Sequence, residues 1–218
     1  GIGRLGIVDD DVVERSNLQR QVLHGEADVG RPKVESAAEA VAALNPDVTV
    51  DRHETRFDAE NAMALVSDYD VVLDASDNFP TRFLVNDACV LAETPFVHGA
   101  VYRFEGQLTT VAAGGRPCYR CLFPEAPPAG TVPNCATAGV LGVLPGTIGA
   151  MQATEAIKLL LDLGDPLTDV VVYYDARNPG IETVDLAPRP GCPVCSDDAA
   201  IRDVADVTYE GGCTVDAD

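Results

Sequence analysis

Four cysteines stand in two pairs of identical spacing, Cys118-Tyr119-Arg120-Cys121 and Cys192-Pro193-Val194-Cys195. Two such knuckles supply four thiolates, the set that closes a tetrahedral Zn2+ site with no position left for substrate, so the chemistry expected is structural. Two redox dithiols or two disulfides would use the same spacing; in a reducing compartment metal is the favoured use. A second set of residues could handle phosphate. Arg20, in Ser16-Asn17-Leu18-Gln19-Arg20-Gln21, offers a planar fork of donors. Lys33, in Gly30-Arg31-Pro32-Lys33, offers a compact charge in the first turn of a predicted helix, where free N–H groups also favour an anion. Ordinary surface cations are the plain alternative, but Lys158 is the only other lysine in the chain.

Two acidic strand ends complete the set. Asp9-Asp10-Asp11 closes the apolar run Leu5–Val8, where a carboxylate can accept from ribose hydroxyls or simply form a solvated turn. Asp74-Ala75-Ser76-Asp77-Asn78 follows another apolar run; a carboxylate there can hold Mg2+, and Asp or Asn can equally cap the next helix. Cys135, in Pro133-Asn134-Cys135-Ala136, lies in a loop rich in Pro, Gly and Ala. On residue type alone it is a bystander thiol, although a loop could carry a nucleophile to an activated carbonyl. Cys89 is predicted core, Cys213 incidental, and His24, His53 and His98 show no metal or triad spacing and are expected to be structural.

The elements that must position these groups alternate. Strands are predicted at Leu5–Asp9, Val48–Val50, Tyr69–Asp74 and Phe96–Ala100, with helices from Pro32 to Leu44, Ala59 to Val66 and Thr81 to Ala92. This α/β order implies right-handed crossovers and a mainly parallel sheet. Gly106–Ala112 is expected to run antiparallel after a short link, residues 124–138 to be a long loop, and Gly146–Leu163 a helix stopped by Gly164. Val170–Asp175 and Ile181–Leu186 form a predicted hairpin, and residues 196–218 a loosely ordered acidic tail after a domain covering 1–195.

Gly1-Ile2-Gly3-Arg4-Leu5-Gly6 matches G-x-G-x-x-G by letter, but a strand follows it and none precedes it, the reverse of a dinucleotide fingerprint. It is expected to be a turn that uses glycine at positive φ. The 218 residues carry a net charge of −20, which argues against nucleic acid and anionic membrane as partners and suggests salt adaptation of a halophile or a basic partner. No apolar run reaches the length of a membrane helix, and no leader is evident, so the cytoplasm is the expected location.

In order along the chain, Val8-Asp9-Asp10-Asp11, Asn17-Leu18-Gln19-Arg20-Gln21, Gly30-Arg31-Pro32-Lys33-Val34-Glu35-Ser36, Asp74-Ala75-Ser76-Asp77-Asn78, Glu105-Gly106-Gln107 and the two cysteine knuckles resemble the ThiF/MoeB/HesA family of adenylating enzymes, relatives of the ubiquitin-activating enzymes. The resemblance implies a Rossmann-like sheet with antiparallel C-terminal strands, an ATP site and a zinc knuckle. It implies that Asp9 and Asp11 lie at the ribose, that Asn17, Arg20 and Lys33 hold the triphosphate, and that Asp77, beside Asn78, binds Mg2+. It places Cys135 at the family's reactive cysteine. It implies a homodimer, a partner that is a small ubiquitin-like or sulfur-carrier protein ending in Gly-Gly, and a glycine-rich phosphate loop upstream of Gly1. An NAD-dependent oxidoreductase and a zinc-stabilised docking module without catalysis are the alternatives.

Overall fold

Ala- and Leu-rich segments that favour helix alternate with short β-branched runs that favour strand, and this alternation builds two units in the chain. The computed structural model describes residues 1–126, 139–178 and 180–209. Its units are Gly1–Phe57 and Asp58–Asp218.

The first unit holds β1 (Arg4–Val8), α1 (Lys33–Leu44) and β2 (Thr49–His53), with single 3-10 turns at Arg15–Asn17 and Glu26–Asp28. β1 and β2 pair in parallel, Arg4 opposite Thr49 and Val8 opposite His53. Parallel neighbours need a crossover, and α1 supplies it. Val34 and Ala37 bury the inner face of α1, and Val13 is likewise buried. The helix starts one residue later than expected, with Pro32 outside it. It stops before Pro46, whose ring disfavours helical backbone at Asn45; Asn45 is accordingly extended. Gly3 and Gly6 are not among the residues at positive φ, so the turn expected at the N-terminus is absent; Gly3 instead leads straight into β1, its carbonyl accepting from Thr49 N–H at 2.9 Å.

The second unit holds α2 (Ala62–Ser67), β3 (Val72–Asp74), α3 (Phe79–Leu91), β4 (Phe96–Tyr102), β5 (Glu105–Val111), the short α4 (Tyr119–Leu122), α5 (Leu144–Leu161), β6 (Val170–Asp175) and β7 (Gly180–Asp185). The five strands form one sheet in chain order. Only β3 and β4, joined through α3, run parallel; the other three pairings are antiparallel. The sheet is mixed: its parallel start and its antiparallel C-terminal strands are as expected, and in this unit the antiparallel pairings outnumber the parallel one. The reason lies in the connections: Arg103 and Phe104 alone link β4 to β5, too short for a crossover, and Arg103 takes a left-handed φ of 51° to make the turn.

α5 lies across β4 and β5, with Ala156 against Val97, Leu108 and Val172. It begins two residues before the expected Gly146 and ends two before Leu163, where Asp162 adopts φ 49°. The predicted antiparallel strand after the short link and the β6–β7 hairpin are both present. Residues 196–209 depart from the expected loose tail: Ala199 and Val204 are buried, and a 3-10 turn at Val204–Asp206 packs on α3. Among the described residues no helix is long and apolar enough to cross a membrane.

At one point α5 approaches the sheet so closely that only glycine fits. A Cβ on Gly99 would overlap the carboxamide of Gln152. That carboxamide cannot swing aside freely, because its Nε2 donates to the carbonyls of Asp74 at 2.8 Å and Val97 at 3.1 Å. Gly99→Ala is expected to destabilise the protein by roughly 1–3 kcal/mol, read as a lower urea midpoint with an unchanged slope.

Candidate functional site

In the first unit, the carboxyl end of β1 and the start of α1 meet. Lys33 N–H donates to the Asp11 carbonyl at 3.0 Å, which fixes where the helix begins. The Lys33 ammonium lies 2.7 Å from an Asp11 carboxylate oxygen and 3.8 Å from one of Asp9. Asp9 in turn accepts from Asp11 N–H at 2.8 Å, closing a tight acidic turn. Burial pushes the Asp9 carboxyl up, helped by Asp10 and Asp11, and this outweighs the Asp11 N–H bond and the Lys33 charge. The sequence-predicted Asp9, Asp11 and Lys33 are thus brought together.

Asn17 and Arg20 lie on the turn that follows Arg15. Asn17 is buried, and its Oδ1 accepts from Glu14 N–H at 3.0 Å, so this oxygen holds the turn. Arg20 donates to the Ser16 carbonyl at 3.1 Å. Among the described residues Arg20 has no acidic partner, whereas Arg4, Arg15 and Arg31 are each paired with a carboxylate. The Arg20 donor fork is of a kind that can bind an anion.

In the second unit, β3 ends at Asp74, and the turn Ala75–Asn78 leads into α3. Asn78 caps the helix, its Oδ1 accepting from Thr81 N–H at 2.9 Å, and Pro80 occupies the first turn. Asp77 is exposed; its carboxylate touches the Asn78 amide at 3.3 Å. An exposed hard-oxygen ligand at a strand's carboxyl end is of a kind that Mg2+ accepts. Asp74 itself is buried. Its Oδ1 accepts from Ser76 N–H at 3.0 Å and Ser76 Oγ–H at 2.6 Å, and its Oδ2 lies 2.7 Å from His98 Nδ1. The expectation that His98 is structural did not reach this pair. The register of β3 against β4, Asp74 opposite His98, brings it about, and spacing in the sequence carries no signal of it.

The four knuckle cysteines also converge. Their sulfurs lie within 4.8 Å of one another, Cys118 to Cys192 at 3.6 Å and Cys121 to Cys195 at 3.5 Å. Four thiolates around a zinc ion at Zn–S ~2.3 Å stand about 3.8 Å apart, so the set fits a tetrahedral metal, while a disulfide needs ~2.05 Å. Shared hydrogen bonds from the other thiols pull Cys121 down and push Cys118 up. The first knuckle is fastened to α3: Asn86 Oδ1 accepts from Tyr119 N–H at 2.7 Å, and the Arg120 fork grips the Asp87 carboxylate with two bonds of 2.7 Å. Tyr209 O–H donates to the same carboxylate at 2.9 Å. Cys89 is fully buried in α3, as expected for core, and burial together with the Asp74 charge pushes its thiol up. Cys135 and Cys213 lie outside the described residues.

The ThiF family model matches residues 1–194. The chain is 57% identical over 218 residues to the SAMP-activating enzyme E1 of Haloferax volcanii, and spans 80% of that protein. It is 48% identical to the sulfur carrier protein adenylyltransferase of Thermus thermophilus, again spanning 80% of it. Among solved structures, E. coli MccB superposes with a TM-score of 0.79 over 91% of this chain and 60% of that one; at 22% identity this is a likeness of fold.

Acid should act through Asp74. Burial alone would raise its carboxyl, but the bonds from His98 and Ser76 outweigh burial and hold it below the ordinary carboxylate range. Unfolded, an aspartate titrates near ~3.9, so this contribution to stability is complete above about pH 4 and is lost as pH falls through the folded value. In acid unfolding, Asp74→Asn is expected to be less stable than wild type at neutral pH and to lose stability less steeply below about pH 4; parallel acid limbs would contradict this.

Proposed function

The chain belongs to the ThiF family, and from that premise we propose that it adenylates the C-terminal glycine of a small ubiquitin-like or sulfur-carrier protein, using ATP. The observation that carries this reading is Lys33: an ammonium at the first position of α1, beside Asp9 and Asp11, in a chain whose net charge is −20. Helix N–H groups and a cation at one place suit a polyphosphate.

The roles follow residue by residue. Asp9 and Asp11 accept from the ribose hydroxyls. Lys33 exchanges its bond with Asp11 for the phosphates, joined by Arg20, with Asn17 holding the turn that presents it. Asp77, beside the Asn78 cap, would hold magnesium, which when bound would offset charge on the nucleotide. The glycine carboxylate oxygen attacks the α-phosphorus, a new O–P bond forms, and the bond to the β-phosphate breaks, releasing pyrophosphate. The chain's share is positioning and charge neutralisation. Cys135 is the proposed thiol for a following step, its sulfur attacking the adenylated carbonyl and releasing AMP. The four knuckle cysteines hold structural Zn2+. The active form is a homodimer in the cytoplasm, and the acidic surface serves a salt-rich setting.

Full-length protein with a carrier ending in Gly-Gly is expected to exchange labelled pyrophosphate into ATP, and Lys33→Ala and Arg20→Ala to slow exchange by roughly 100-fold each with folding intact. Folded wild-type protein that exchanges nothing with any such carrier would sink the reading. Purified protein is expected to hold one zinc per chain; stripping it with a chelator, or Cys121→Ser, should cost ~3–5 kcal/mol, seen as a drop in melting temperature of roughly 10 °C. Zinc-free protein of unchanged melting temperature would remove zinc from the assignment.

A further inference from the structure

His98 is fully buried in β4, where its neighbours Phe96 and Val97 are apolar. Asp74 is an acceptor on both carboxylate oxygens, so the proton between them sits on His98 Nδ1. The other ring nitrogen, Nε2, is buried with no hydrogen-bond partner among the described residues. A residue present only to fill the core would be better apolar, since a histidine here leaves a polar atom unpaired. What the imidazole achieves is on its other side: it fixes the rotation of the Asp74 carboxylate.

The consequence runs outward. With Oδ2 held by His98, Oδ1 is aimed at Ser76, where it takes both the N–H and the Oγ–H. Gln152 pins the Asp74 carbonyl, and Arg82 donates to the Ser76 carbonyl at 3.2 Å. The turn is then held at Asp74, at Ser76 and at the Asn78 cap, with Asp77 between the last two and pointing outward. A bidentate or bridging metal ligand gains most from such restraint, because its oxygen must be held in place against a mobile turn.

We infer that the buried His98–Asp74 pair is a positioning device for the Ser76–Asn78 turn, and through it for the Asp77 carboxylate as a ligand of metal-bound ATP. This rests on the reading of Asp77 given above. Neither His98 nor Asp74 touches the reacting atoms; both act through Ser76.

The test measures Mn2+ binding to full-length protein in the presence of ATP, from the EPR spectrum of protein-bound Mn·ATP set against Mn·ATP without protein, together with AMP binding in EDTA by calorimetry. His98→Leu is expected to weaken Mn2+ binding about tenfold and leave AMP affinity within about twofold. His98→Asn, whose amide N–H stands where Nδ1–H stood, is expected to restore Mn2+ binding to within about threefold of wild type. Ser76→Ala, at a partly exposed position, should weaken Mn2+ binding several-fold and serves as the deciding variant where His98→Leu does not fold. Folded His98→Leu or Ser76→Ala with wild-type Mn2+ affinity overturns the inference, as does failure of folded His98→Asn to restore it. Wild-type protein that binds AMP but not Mn2+ with ATP overturns the assignment of Asp77 itself, and with it this inference; the two failures are told apart by whether wild type or only the variants depart.

Discussion

Asp87 has no exposed surface, yet it carries a carboxylate, and the second unit is arranged around satisfying it. The Arg120 fork, the Asn86 amide and the Tyr209 hydroxyl all donate to it. Removing one partner from such a group leaves a buried charge uncompensated, which costs more than the pair itself contributes. Through Arg120 the cysteine knuckle is bound to α3, and through Tyr209 the C-terminal stretch is bound to the same helix. α3 also begins at Asn78, beside Asp77. One helix therefore has Asp77 just before its cap and the anchor of the cysteine cluster in its middle. Both are fixed to the same helix, and four converging thiolates suit a part that holds a frame.

A net charge of −20 sets the second constraint. Any polyanion that approaches this chain is repelled by the whole and must be held by local features. Most cations described in the first unit are spent on neighbouring acids. Among the described residues Arg20 has no acid beside it, and Lys33 is paired with Asp9 and Asp11. Lys33 also stands in the first turn of α1, where the helix dipole adds attraction for an anion.

Much of this was legible in the residues. The knuckle spacing announced a four-thiolate cluster, and the sulfurs do converge. Acidic residues after apolar runs marked two strand ends, and both lie there. The helix start expected at Pro32 fell within one residue, and the one expected at Thr81 comes two residues earlier, behind the Asn78 cap that the sequence offered as an alternative to metal binding. The short Arg103–Phe104 link and the hairpin pattern marked the C-terminal strands as antiparallel, and they are; the overall weight of parallel pairing was set too high, because only β3 and β4 pair that way in the second unit. The stretch after Cys195 looked like a tail because its composition is polar and acidic; Ala199 and Val204, which are buried, and Tyr209 stand too far apart to signal packing.

By itself the sequence determined which groups exist and which local backbone they favour, since caps, crossovers and knuckle turns depend on residues a few positions apart. Only the tertiary structure decided that His98 meets Asp74, 24 positions away, or that Tyr209 meets Asp87, 122 positions away. Neither pairing has a spacing rule: each follows from strand register or helix packing, which thousands of weak contacts settle together. A buried polar group finds its partner wherever the fold happens to carry one, and the chain's one-dimensional order holds no trace of that meeting.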